Sequence, residues 1–340
     1  MLQGRLLPIL EVKSFVQRPV GTEVACDIDM ETSTVHSIGA QTAWHGPFSV
    51  ESGSGNMQIA IASGKGGTGK TLIATSLATV WANGGRRIAY VDVDVEEPNG
   101  HLFLHPDSIE SEFSVKVPTL KTGRCAGHGK CQEACNFNAI LSAKGQIIVF
   151  HELCHSCGAC LIACPDGALV EEDRTIGTIS IGRSEDLTFI SGTLDVGEVR
   201  AAPLIEGVLK HVDSLGGLTV VDAPPGTSCS AMAASRRADV LLLVTEPTPF
   251  GLHDLELAVG MGRALNRKLA AVINRADLGD ERTRDYLERE HVPILAEIPF
   301  NREVAKSYAA ATLPIENCEP FKKSIIELAE KLMVMIESES

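Results

Sequence analysis

GKGGTGKT, residues Gly64 to Thr71, follows the apolar run MQIAIA and runs straight into TLIATSLATVWANG, a segment of helical pattern closed by Gly84 and Gly85. A strand, a glycine-rich turn spaced G-x-x-x-x-G-K-S/T and a helix together form a phosphate-binding loop in the context that motif requires. The glycines let successive backbone N–H groups turn inward around phosphate oxygens, at the positive end of the following helix. Gly64, Gly66, Gly67, Thr68 and Gly69 are therefore expected to cradle the phosphates of a nucleotide such as ATP. Lys70 is placed to reach the β- and γ-phosphates, and the Thr71 hydroxyl to ligate Mg²⁺.

The rest of the chain agrees with the fold this loop demands. RIAYVDVD, LTVVDA, ADVLLLVTE and KLAAVINR are short apolar runs without polar alternation, as expected of strands buried on both faces. Helical patterns lie between them, so the expectation is an α/β fold with a doubly wound, mostly parallel sheet. Asp222 closes LTVVDAPPG and suits a carboxylate on the magnesium side of the loop. Asp92 and Asp94 end RIAYVDVD and are candidates to hold the magnesium shell or to orient an attacking water. A single Asp at a strand end is more often a cap or turn residue, but the phosphate loop upstream shifts the balance.

The chain has ten cysteines, and seven fall between Cys125 and Cys164. Clustering of this kind points to a metal site in a reducing compartment and away from a disulfide scaffold. CHSCGACLIACP, Cys154 to Pro165, is C-x2-C-x2-C-x3-C-P, the bacterial ferredoxin run whose fourth cysteine serves the other cluster. Zinc sites more often pair two short knuckles. An earlier run, CAGHGKCQEAC, repeats the frame with His128 in the second cysteine's place. Exchanging the fourth ligands gives one complete set, Cys135, Cys154, Cys157 and Cys160, expected to hold a 4Fe–4S cluster. The other set is Cys125, Cys131 and Cys164 with His128. Three readings of His128 stand: it ligates iron through a ring nitrogen, it stands aside from a three-iron cluster, or its half binds no metal.

The cysteine-rich block breaks the strand–helix rhythm between about residues 116 and 175. It divides a nucleotide domain of residues 57–115 and 176–340 from a small inserted α+β domain. Residues 1–56 show no periodicity and end in SVESGSGN. They read as a disordered extension, or as an upstream misreading with Met57 as the true start. A net charge of −14 disfavours nucleic acid and acidic membrane surfaces, and no apolar run reaches spanning length. A cytoplasmic protein is expected.

With Lys65 as its second residue, GKGGTGKT resembles the deviant Walker A motif of the MinD/Mrp/ParA group of ATPases, to which the nitrogenase iron protein also belongs. DVD and VVDAPPGT fall where that group places its switch and Walker B segments, and the likeness runs from Met57 to about Lys331. It implies a P-loop NTPase that forms a nucleotide-dependent homodimer, with Lys65 reaching the other protomer's phosphates as a charge supplied in trans. It further implies that Asp94 positions the attacking water, that Asn274 and Arg275 lie near the adenine, and that Pro299 with Phe300 and Asn301 completes the base pocket. With the cysteine block, the architecture resembles MinD/Mrp-family ATPases carrying an inserted ferredoxin domain. Cys229 falls where the nitrogenase iron protein places a cluster cysteine, but reads as a small buried hydrophobe.

The function expected is Mg-dependent ATP hydrolysis coupled to electron transfer or iron–sulfur handling for a partner protein. The alternative is a positioning or scaffold ATPase in which the clusters are structural or regulatory. A membrane-binding C-terminal helix is not expected, because FKKSIIELAEKLMVMIESES has a mixed polar face and an acidic end.

Overall fold

The structure, a computed structural model, describes residues 56–121, 123–143 and 146–337. The expected N-terminal extension lies outside the described residues, which open on the first strand. In chain order the strands are β1 (Asn56–Ala62), β2 (Ile88–Asp92), β3 (Asp107–Leu120), β4 (Ile140–Ala143), β5 (Gln146–Val149) and β6 (Leu169–Ser184). They continue as β7 (Leu187–Leu194), β8 (Gly217–Asp222), β9 (Val240–Thr245), β10 (Lys268–Asn274) and β11 (Ile294–Ile298).

Nine of these form one sheet in the order β11-β10-β9-β1-β8-β2-β7-β6-β3. From β11 to β7 every pairing is parallel; β6 and β3 are added antiparallel at one edge. Side chains alternate across the parallel strands. Ile59 and Ile61 enter one core with Leu77, Trp81, Phe321, Ile325 and Leu332. Ala60 and Ala62 enter the other with Leu204, Val208, Leu255 and Val259. The sheet is thus covered on both faces, which is why its strands read as continuous apolar runs. The last helix, Glu319–Glu337, lies on the domain, with Phe321, Leu328 and Leu332 buried. Among the described residues no helix is long and apolar enough to cross a membrane.

The edge strands depart from the sequence reading. The expected boundaries at 116 and 175 fall inside β3 and β6, whose pairing runs from Asp107↔Arg183 to Leu120↔Leu169 with a single register shift. β6 touches β7 only over Gly177–Ser184. Its outer part therefore continues with Ser114–Leu120 as a two-stranded ribbon of roughly 20 Å at ~3.3 Å per residue, one side of which packs Val115, Val117 and Ile176 into the core with Ala139 and Cys154. A bulge at Phe113/Ser114 marks the root of this ribbon. Residues 121–168 sit at its tip, with two one-turn helices, Lys130–Glu133 and Ala159–Ile162, and the β4–β5 hairpin.

Gly177 is where the ribbon joins the sheet. A Cβ there would lie 2.3 Å from the Thr193 carbonyl oxygen, so the close approach of β6 to β7 needs glycine. Gly177→Val is expected to cost about 1–3 kcal/mol in thermal or chaotrope unfolding, through overpacking at this join. Stability equal to wild type would contradict the strand contact.

Candidate nucleotide and metal centres

The parallel strands end on one edge of the sheet, where the crevice of an open α/β sheet binds ligands. β1 leads there into the glycine loop, in which Gly67 and Gly69 take φ of 77° and 96°. Gly69 hands over to the helix Lys70–Asn83. Lys70 and Thr71 are each 7% exposed. Asp222, at the end of the neighbouring β8, is buried; its Oδ2 accepts from the Tyr90 hydroxyl at 3.0 Å, while its Oδ1 has no hydrogen-bond partner among the described residues. The Thr68 hydroxyl is likewise buried without a partner. Buried polar atoms are normally satisfied, so these two fit a loop completed by phosphate and a divalent cation. Burial pushes the Asp222 carboxyl up, and the Lys70 ammonium opposes that.

Asp92 has a second task besides the one expected of it. It too is buried, but its Oδ2 accepts from the amides of Asn99 at 3.0 Å and Gly100 at 2.8 Å, and its Oδ1 from Asp94 at 3.2 Å. In this structure both oxygens serve the backbone of the following loop, which they fold over the strand end. Asp94 is half-buried on that loop; burial lifts its carboxyl to about 6, against the pull of Lys70 and with the help of Asp222, Glu96 and Glu97. It lines a pocket with Glu96, Glu97, Pro224, Pro225, Ser228 and Ser230.

The remaining nucleotide-side residues stand on the same edge. Asn274 is buried, and its Nδ2 donates to the Thr68 carbonyl at 2.8 Å. A Cβ on Gly69 would lie 2.5 Å from that nitrogen, so glycine there lets Asn274 brace the loop from below. Arg275, with φ of 52°, pairs with Glu246. Lys65 Nζ lies 3.5 Å from the same glutamate. Pro299 follows β11, whose Ile298 is the register partner of Asn274. Cys229 is exposed in the single chain, at the start of its helix.

At the ribbon tip the two cysteine runs repeat one backbone trace. Gly127 and Ser156 both have positive φ, as do Gly129 and Gly158, and Asn138 and Gly167. Gly129 and Gly158 each open a one-turn helix, and the amides of Ala139 and Ala168 donate to Cys135 Sγ and Cys164 Sγ, both at 3.3 Å. In this repeat His128 falls opposite Cys157. Cys135, Cys154, Cys157 and Cys160 line one pocket, with Phe137 and His155 stacked at its wall. Burial raises the Cys160 thiol to about 11, with Cys154 and Cys157 adding to it; burial raises Cys131 too, with Cys164 and Cys125 adding. The thiols thus sort into two groups, and each would need positive charge between its members to ionise together.

Among the described residues no three His, Cys, Asp or Glu side chains converge as a single-ion site requires. A cubane spreads its ligands over separate irons, and amide donors to Sγ suit thiolates. The donor set therefore fits clusters better than one zinc ion. His128 Nδ1 is 3.0 Å from Asp166 Oδ2, which also accepts from the Ala126 amide at 3.1 Å. Its Nε2 has no such tie, the arrangement by which a carboxylate fixes a metal-binding imidazole.

Residues 59–315 match the family described as the CobQ/CobB/MinD/ParA nucleotide binding domain. The chain belongs to this family. Among relatives of this CobQ/CobB/MinD/ParA member, an uncharacterised protein of Methanocaldococcus jannaschii is 30% identical over 282 residues, 82% of this chain and 98% of that one. An iron-sulfur cluster carrier protein of Pyrococcus horikoshii is 25% identical over 293 residues, 81% of this chain and 85% of its own. The crystal structure of the Pyrococcus furiosus cell division ATPase MinD shares the fold at a TM-score of 0.53 and 21% identity, covering 82% of this chain and 99% of that one.

Tyr90, Asp166 and Glu246 take part in these sites but carry no motif; only their contacts mark them. Removing the Asn274 brace by Asn274→Ala is expected to cost about 1–2 kcal/mol at a buried hydrogen bond. MgADP affinity measured by calorimetry should fall correspondingly, roughly five- to thirty-fold.

Proposed function

We propose that this chain hydrolyses MgATP as a homodimer and couples its nucleotide state to one-electron transfer through iron–sulfur clusters on the ribbon tip. One observation supports this above the others: the cysteine module grows from β6, which pairs with β7, beside the strand that carries Asp92 and leads into the Asp94 loop. Thr71 and the free Oδ1 of Asp222 hold the magnesium shell, directly or through water, and Lys70 meets the phosphates. Asp94 orients the attacking water. Lys65 leaves Glu246 on dimerisation and crosses to the other protomer's phosphates. Asn274, Arg275 and Pro299 border the base pocket.

Cys135, Cys154, Cys157 and Cys160 hold one 4Fe–4S cluster. Cys125, Cys131 and Cys164 hold a second, with His128 supplying Nε2 while Asp166 holds Nδ1. The clusters supply a one-electron store whose potential depends on the charges and hydrogen bonds around the sulfurs. Functionally the inserted ferredoxin-like domain is 121–168 on its ribbon stalk.

A second reading, delivery of a cluster to an acceptor protein, is favoured by the name of the Pyrococcus relatives and by the exposed Cys157. Transfer of iron to an apo-acceptor on adding ATP separates the two readings.

Anaerobically purified protein is expected to contain about eight irons per chain, or seven where the second cluster is three-iron. An iron-free protein that still turns over ATP would defeat the proposal. Pulsed EPR should detect ¹⁴N coupling at one cluster, lost in His128→Cys; its absence from wild type would remove the histidine ligand.

A carboxyl raised to about 6 stays protonated to higher pH than an ordinary aspartate. Because the water-orienting form is the carboxylate, ATP turnover should fall as pH drops through about 6. Asp94→Asn should reduce turnover by about 10²-fold or more at every pH. A flat wild-type profile from pH 5 to 8 would contradict this role.

A further inference from the structure

Glu198 and Arg200 lie in the link between β7 and the helix Ala201–Lys210, and each side chain is 4% exposed. Arg200 Nε donates to Glu198 Oε1 at 2.7 Å and Nη2 donates to Oε2 at 2.6 Å, a two-pronged pair. Glu198 Oε1 also accepts from the amides of Val199 and Arg200, both at 3.0 Å. The third arm of the guanidinium, Nη1, donates to the carbonyl of Cys154 at 3.0 Å. Arg174, on the ribbon, reaches within 3.6 Å of the same glutamate.

The near end of this link is tied to the phosphate edge. The Leu194 amide donates to the Val95 carbonyl at 2.8 Å, one residue beyond Asp94. The Val93 amide donates to the Asp222 carbonyl, and the Asp195 amide to Ile176 at the ribbon root, both at 3.0 Å. The Glu198 amide donates to the Asp195 carbonyl at 3.0 Å, so the Asp94 loop, the exit of β7 and the backbone of Cys154 are joined by hydrogen bonds along this link. A buried bidentate ion pair is stiff, since parting it strands two charges away from water. The exit of β7 thus has a hydrogen-bonded route to Cys154 through Glu198 and Arg200.

We infer that Arg200, held by Glu198, is the positioning residue that transmits the state of the Asp94 loop to the cluster of Cys135, Cys154, Cys157 and Cys160, an inference that rests on the proposed iron–sulfur reading. Reduction adds negative charge to a cluster, so a fixed guanidinium beside it favours the reduced form. Movement of the loop on nucleotide binding pulls Leu194 and shifts the guanidinium relative to Cys154, which changes the potential.

The test is an EPR-monitored redox titration of the anaerobically purified full chain, with and without a non-hydrolysable ATP analogue. In wild type the analogue moves the midpoint of this cluster. Arg200→Gln lowers the reduced-to-oxidised ratio about tenfold at fixed potential, 59 mV for a one-electron couple, and abolishes the nucleotide shift. Arg200→Lys restores the nucleotide-free ratio to within about threefold but not the shift, because it keeps the charge without the fork. ATP turnover is unchanged in both. An Arg200→Gln cluster that keeps the wild-type shift overturns the inference and leaves the functional proposal standing; a wild-type cluster indifferent to nucleotide overturns both. Should Arg200→Gln fail to assemble the cluster, Glu198→Gln, which loosens Arg200 without removing it, must abolish the shift, and its retention there overturns the inference equally.

Discussion

The backbone ladder of β6 runs from the interior of the nucleotide sheet to the tip of the ribbon. Over Gly177–Ser184 it is hydrogen-bonded on both sides, by β7 and β3; beyond Ile176 it is paired with β3 alone. A single strand is thus half core and half stalk, and the cysteine module hangs from the sheet without a flexible linker. A two-stranded ribbon is marginal by itself. This one is anchored by the sheet at its root and by the compact cysteine halves at its tip, with Arg200 and Arg174 bracing its side through Glu198.

The nucleotide edge is governed by buried carboxylates that do different work. Asp92 spends its oxygens on amides and fixes the loop that holds Asp94. Asp222 keeps one oxygen on Tyr90 and one free. Two such acids packed side by side in register repel each other, and burial penalises both. Lys70 offsets part of this, and a divalent cation would offset more. Glu246 performs a similar service for cations, gathering Lys65 and Arg275 into one cluster beside the glycine loop.

Much of this was legible in the residues. The parallel strands β1, β2, β8, β9 and β10 announced themselves because both their faces are buried and their central side chains are mostly apolar. β3 did not: as an edge strand with one face in water, SIESEFSVKV alternates and resembles surface loop. β7 was hidden by small polar residues, where Gly192 admits Val208 and Leu204 from the helix above. Lys70, Thr71 and the cysteine spacing were readable because their chemistry depends on neighbours close in sequence. The amide contacts of Asp92 were not readable, because sequence places it at a strand end but not which amides will fold back over it.

The sequence alone determined the glycine loop, the mostly parallel α/β fold and the two cysteine frames with His128 in one ligand slot, since each is written in spacings of a few residues. Only the tertiary structure decided that the insert stands on a shared β-ladder, that Asp166 takes one face of His128, and that Arg200 joins Cys154 to the link after β7. Those contacts bring together residues 38 to 46 positions apart. No local pattern records such a meeting, because it depends on how strands pair and not on what any one segment prefers.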